Sequence, residues 1–274
     1  MKRHRGRLEL GSAELQLHHD ATAFLGRFEP AALEAELRAA GVHQGLARRG
    51  FVEPVLQTEL EGGEHRLKLL PRGAELPLVD LRLAEASAVV DEPFLVRRGL
   101  DVVSFLCIHW LALQDPTAAF TPERPQLPGQ SHPGLGLARP LILRLLKWAT
   151  DWGKDGLLNL PEYFHNAVFY SEIFRFLHPR QQGRFEALRR DLAGLHVAAA
   201  SFAIDAGRVV SEPAGEPLRW EPGEMVAPLT GRLRRAFDSD DYAAAVGEAK
   251  HAARFRLLEP VARASGGQLD RGEP

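Results

Sequence analysis

Between Glu162 and Tyr170 the chain reads EYFHNAVFY, a short segment holding a carboxylate, an imidazole and a phenol. Glu162, His165 and Tyr170 are the side-chain types that move protons in catalysis. Upstream, Gly134-Leu135-Gly136 opens an apolar, helix-patterned run. A helix N-terminus presents unpaired amides and a partial positive charge, and glycines let an anion come close to them. The two segments together point to anion binding beside proton transfer.

Several chemistries lack their motif. Arg139 occupies the place of the third glycine of a dinucleotide fingerprint, and no Gly-Lys-Ser/Thr follows as a Walker loop requires. H-E-x-x-H and G-x-S-x-G are both missing. Glu162-x-x-His165 has the spacing of carboxylate-bridged di-iron bundles. A metal enzyme is therefore the weaker alternative, with His132, His165, His178 and Glu162 as ligands; the expectation is no metal. Cys107 is the only cysteine, so the chain can form no internal disulfide or thiolate zinc cluster. Its apolar surroundings, VVSFLCIHWLAL, fit a buried inert thiol, and His109 in the same run reads as a core or pocket-lining histidine.

With 45% hydrophobic and 26% charged residues, the 274-residue chain has the composition of a globular protein. Its net charge of −2 gives no bulk field that would draw it to nucleic acid. The basic start Met1–Arg7 is followed by no apolar run of signal length, and no stretch is long enough to span a membrane. A cytoplasmic protein without nucleic-acid partners is expected.

The elements that must position these groups follow in order. Pro30 begins a helix that Gly41 closes, and two alternating runs around Gly62-Gly63 predict a hairpin. A third run, Leu78 to Leu83, extends it to a meander. Val102 to Leu111 predicts a buried central strand, and a long proline-rich loop, Gln114 to Gln130, leads to the glycines. The spacing then predicts a helix over Pro140 to Trp152, a strand over Gly156 to Leu160 parallel to its predecessor, and helices over Tyr163 to Leu177 and Gln181 to Leu192. After Ala198 the pattern turns β-like, with a turn at Asp205-Ala206-Gly207, and a final helix covers Arg232 to Arg256.

This order, with the loop SHPGLG and the later HNAVFYSEIFRF, resembles the GNAT acyltransferase superfamily over Pro30 to Phe176. Gly134 and Gly136 fall on the two glycine positions of that family's Gln/Arg-x-x-Gly-x-Gly/Ala loop. Ser131 stands where Gln or Arg is expected, with Gln130 one residue early. Asn166-Ala167, Tyr170 and Arg175-Phe176 are similar to the Asn, Ala, Tyr and Gly-Phe of the family's next helix.

The resemblance implies an α/β fold: a GNAT-like mixed sheet, with an antiparallel N-terminal meander and a central parallel pair, flanked by helices and followed by a C-terminal α+β extension. It divides the chain into a basic tail (1–24), an acyltransferase domain (25–197) and the extension (198–274). It implies acyl-coenzyme A, or an acyl carrier protein, as donor and an amine as acceptor. The donor would be bound by Gln130, Ser131, Gly134, Leu135, Gly136, Leu137 and Ala138. Tyr170 would protonate the leaving thiolate, and Glu162 or His165 would take the amine proton. Tyr170 reads equally well as a core aromatic, and a non-catalytic binding module that keeps the fold is the alternative function.

Overall fold

The computed structural model describes residues 23–258. The basic start, His18-His19 and the stretch from Ser265 lie outside them. Helices α1 (Pro30–Ala39) and α2 (Val42–Ala47) lead into strands β1 (Val55–Glu61), β2 (Glu64–Leu70) and β3 (Val79–Val89). The short helix α3 (Pro93–Val96) precedes β4 (Val102–Leu113), and α4 (Ala138–Asp151) crosses over to β5 (Gly156–Asn159). Next come α5 (Phe164–Tyr170), β6 (Arg175–Phe176), α6 (Pro179–Asp191), α7 (Val197–Asp205), β7 (Val209–Ser211) and β8 (Glu216–Pro217). The remaining elements are β9 (Met225–Pro228), α8 (Gly231–Phe237), α9 (Asp240–Ala252) and β10 (Phe255–Leu257).

The main sheet has seven strands in the order β1-β2-β3-β4-β5-β9-β6, and β7 pairs with β8 and β10 in a separate three-stranded sheet. Within the main sheet β4 and β5 are parallel and every other neighbouring pair is antiparallel. The fold is therefore mixed α/β. Gly62 and Gly63, at φ 60° and 85°, close the first hairpin in the left-handed conformation that a two-residue turn needs. The helix α4 between the parallel strands is what allows them to run the same way.

Strand alternation sorts the core into two layers. Leu67, Leu81, Leu106 and Leu157 pack with Leu141 and Leu145 of α4, whereas Phe105, Cys107 and Leu158 pack with Leu233 and Phe237 of α8. Cys107 is fully buried, which pushes its thiol up to about 12 and leaves it un-ionised at neutral pH. Among the described residues no helix is long and apolar enough to cross a membrane.

Three expected elements are corrected. The helix from Tyr163 stops at Tyr170, not Leu177: the Ser171 hydroxyl donates to Val168 O at 2.7 Å, and Phe176 joins the sheet opposite Met225. Phe174 and Phe176, buried two residues apart, follow a strand period that helical spacing had absorbed. Val197–Asp205 is helical, not β-like, because its alanines favour helix and the His196 ring accepts from Ala198 N as an N-cap. The last helix is two, since the Ser239 hydroxyl oxygen caps α9 by accepting from Tyr242 N. Residues after 197 also enter the main sheet, with β9 hydrogen-bonded between β5 and β6.

Candidate functional site

The parallel pair covers only Phe105 to Ile108 of β4 against Gly156 to Asn159 of β5. On its other side β4 stays paired with β3 as far as Leu113. The pairing ends at Ile108 because β5 itself ends at Asn159, and the β5 side of His109 to Ala112 has no ladder partner. The far end of this opening is closed by the glycine loop: Gln114 bridges Gly134, Asp115 N donates to Pro133 O at 2.8 Å, and Leu135 N donates to Leu113 O at 3.3 Å.

The loop then delivers α4. No side chain caps this helix, and its first internal bond is Leu141 N to Leu137 O. Its early amides therefore lack intrahelical partners. Because Leu135 N is already engaged, the amides of Gly136, Leu137, Ala138 and Arg139 are the ones that could hold an anion. Leu135 and Leu137 bury their side chains. Gly136 sits at φ 68°, where a side chain would be strained, and only 3.5 Å separates the Cβ it lacks from Arg49 Nη2. Gly134 has no such backbone requirement and only Leu113 O near it, at 3.6 Å, so the room beside it is not demanded by the fold.

Arg49 was not legible as a site residue. It reaches the loop from the end of α2 through Asp115, whose Oδ2 lies 3.6 Å from Arg49 Nη1. Arg124 donates to Gly134 O, and exposed Arg139 stands in the first turn of α4. Three arginines thus lie near the glycine turn, two of them paired with carboxylates, Arg49 with Asp115 and Arg139 with Glu172. Ser131 is exposed. Gln130 is occupied within its own loop: its side-chain oxygen accepts from Leu127 N at 3.2 Å and its carbonyl accepts from Gln126 Nε2 at 2.7 Å.

The proton-transfer residues are placed differently from one another. Glu162 is exposed just past β5. His165 is buried on α5, its Nδ1 2.9 Å from Ser201 Oγ, and burial lowers it to about 4, so the ring is neutral at pH 7. Tyr163 stacks on that ring at 5.4 Å and fills the space beside Gly129, tying the segment to the loop. Tyr170 packs edge-on to Phe174, and burial pushes its phenol up to about 12, which keeps it protonated across the physiological range.

Two further residues border the opening. His109 is the extra residue of a bulge, since Arg82 pairs with Trp110 and Leu83 with Ile108. Its Nδ1 lies 3.1 Å from Glu64 Oε1, and burial lowers its basicity against the pull of that carboxylate. Asn159, the last residue of β5, is 3% exposed, and neither its Oδ1 nor its Nδ2 has a hydrogen-bond partner. An unmet buried polar group costs about 1–3 kcal/mol.

Among the described residues no group of three or more His, Cys, Asp or Glu comes together as a metal site would need. His178 instead pairs with Glu92 at the start of α6, and His165 with Ser201. The ligand set His132, His165, His178 and Glu162 is accordingly not assembled. Comparison with family models, curated proteins and solved structures found no match to this chain.

Proposed function

We propose that the protein is a GNAT-like transferase that moves an acyl group from acyl-coenzyme A, or an acyl carrier protein, to an amine. The observation that carries this reading is the stretch of β4 left unpaired beyond the end of β5, near an uncapped helix N-terminus with Arg49, Arg124 and Arg139 around it. An opening in a sheet admits an extended chain, and the helix end suits its anionic head. The amides of Gly136, Leu137, Ala138 and Arg139, with Arg49, bind the pyrophosphate.

In the reaction the amine nitrogen bonds to the thioester carbon and the carbon–sulfur bond breaks. Glu162 or neutral His165 takes the proton that the amine loses. Tyr170, protonated at every pH below about 12, supplies the proton that the departing thiolate needs.

Calorimetric titration with acetyl-coenzyme A and longer acyl-coenzyme A species tests the reading, with micromolar binding expected. No heat from any of them at high micromolar concentration overturns it. Gly134→Trp sharpens the test: a Cβ there meets only Leu113 O, at an ordinary 3.6 Å, so lost binding with an unchanged melting temperature is expected. A non-catalytic module is the second reading, favoured by Gln130 being engaged inside its own loop. Binding without transfer to any amine would support it.

A further inference from the structure

We infer that Asn159 reads the ligand: its side-chain amide pairs with a secondary amide of an extended chain lying in the opening between β4 and β5. The inference rests on the acyl-coenzyme A reading and deepens it, because the arm of that donor carries amides along its length.

The preceding strand positions, Leu157 and Leu158, are apolar and fully buried, as packing demands. Asn159 continues the same strand at 3% exposure with two unmet polar atoms. Several other buried polar residues have partners: Asp80 holds Arg66, Asp115 holds Thr117, Asp155 holds Arg232, and His165 meets Ser201; Glu34 Oε2, His43 Nε2 and Arg82 Nε are unmet too, but among the described residues Asn159 alone has two such atoms. The buried histidine His43 lies 3.2 Å from Glu34. Asn159 presents a donor and an acceptor side by side; a trans secondary amide, whose N–H and C=O point opposite ways, meets one of the two, and a chain carrying a second amide has a further group for the other.

Its place in the sheet says where that group would come from. Asn159 is in register with Ile108 on one side and Met225 on the other, and Ile108 is the last β4 residue to pair with β5. Alternation puts its side chain on the face of Leu157, the face that α4 covers. A chain running from the start of α4 into the opening passes that position.

The test is Asn159→Leu, which keeps the number of side-chain heavy atoms and removes both polar ones. Binding of coenzyme A, pantetheine and adenosine 3′,5′-bisphosphate would be measured by calorimetry on the full chain. Coenzyme A and pantetheine are expected to weaken about tenfold or more, with the nucleotide, which has no such amide arm, unchanged. A variant that binds coenzyme A as the parent does overturns the inference alone, Asn159 then being met by an internal water only. A parent that binds neither coenzyme A nor pantetheine overturns the acyl-coenzyme A reading, and this inference with it. Circular dichroism confirms folding; should the leucine variant fail to fold, Asn159→Ala replaces it with the same expectations.

Discussion

The two ends of β5 treat a buried polar residue in opposite ways. Asp155, immediately before the strand, is 4% exposed and saturated with partners. Ser104 donates through both N–H and Oγ at 3.0 Å, Thr230 Oγ1 donates at 3.1 Å, and Arg232 grips both carboxylate oxygens at 3.0 and 2.8 Å. Asn159, at the strand's other end, has none. One end is a lock that joins β4, β5 and α8, and the other is an unfinished contact where the sheet opens. A buried polar group with every bond made is explained by the fold, whereas one with none calls for something the fold does not contain.

Substitutions at the two ends should therefore separate stability from binding. Asp155→Ala is expected to cost roughly 3 kcal/mol, the low end for breaking a buried ion pair because Arg232 is half exposed and can turn to water. Urea denaturation measures it, and a loss under about 1 kcal/mol would erase the contrast. If Tyr170 is the general acid of the proposed transfer, Tyr170→Phe should lower kcat about 100-fold while stability changes little. A large stability loss with unaltered kcat would return Tyr170 to the core.

Asn159→Leu should do the opposite of the aspartate change. Replacing an unmet buried amide with an apolar side chain of the same heavy-atom count is expected to raise the melting temperature by about 2–4 °C, near 1 kcal/mol. A fall of similar size in scanning calorimetry would mean that the amide is already satisfied. The smallest effect concerns pH. Burial pushes the Asp155 carboxyl up, but Arg232 and the Ser104 and Thr230 bonds together hold it below the usual carboxylate range. With the folded value depressed, its stabilisation is complete above the unfolded value and is lost as pH falls through the folded one. The penalty of Asp155→Ala should hence be constant near neutrality and shrink below about pH 4. A penalty that does not change on acidification would deny the shift.

The meander and the parallel pair were legible because each depends on local pattern, whereas the Asp155 lock, which reaches Thr230 and Arg232 far along the chain, was not. Gly62-Gly63, the alternation of Leu78 to Leu83, and the helix between two apolar strands give β1 to β5 directly. The open end was legible only in part. Gly134, Gly136 and Tyr170 stand out by type and spacing, but Arg49 reaches the loop from α2, and contacts across such distances leave no period in the sequence. His109 was hidden by a bulge, which shifts register without altering residue types. Phe174-Phe176 was misread because pairing with β9 outweighed the helical spacing, and Ala198–Asp205 because alanine's helix propensity outweighed the local alternation.

The position of β9 carries a consequence for how the chain is made. Asn159 and Arg175 both wait for partners between Met225 and Val226. During synthesis the meander can form from neighbouring segments, but the free flank of β5 stays unpaired until Pro228 has emerged, and β6 cannot dock before then. Until that moment a nascent chain exposes one strand edge on which other chains could assemble. Truncations ending before Met225 are expected to aggregate where the full chain stays monodisperse, which light scattering would report.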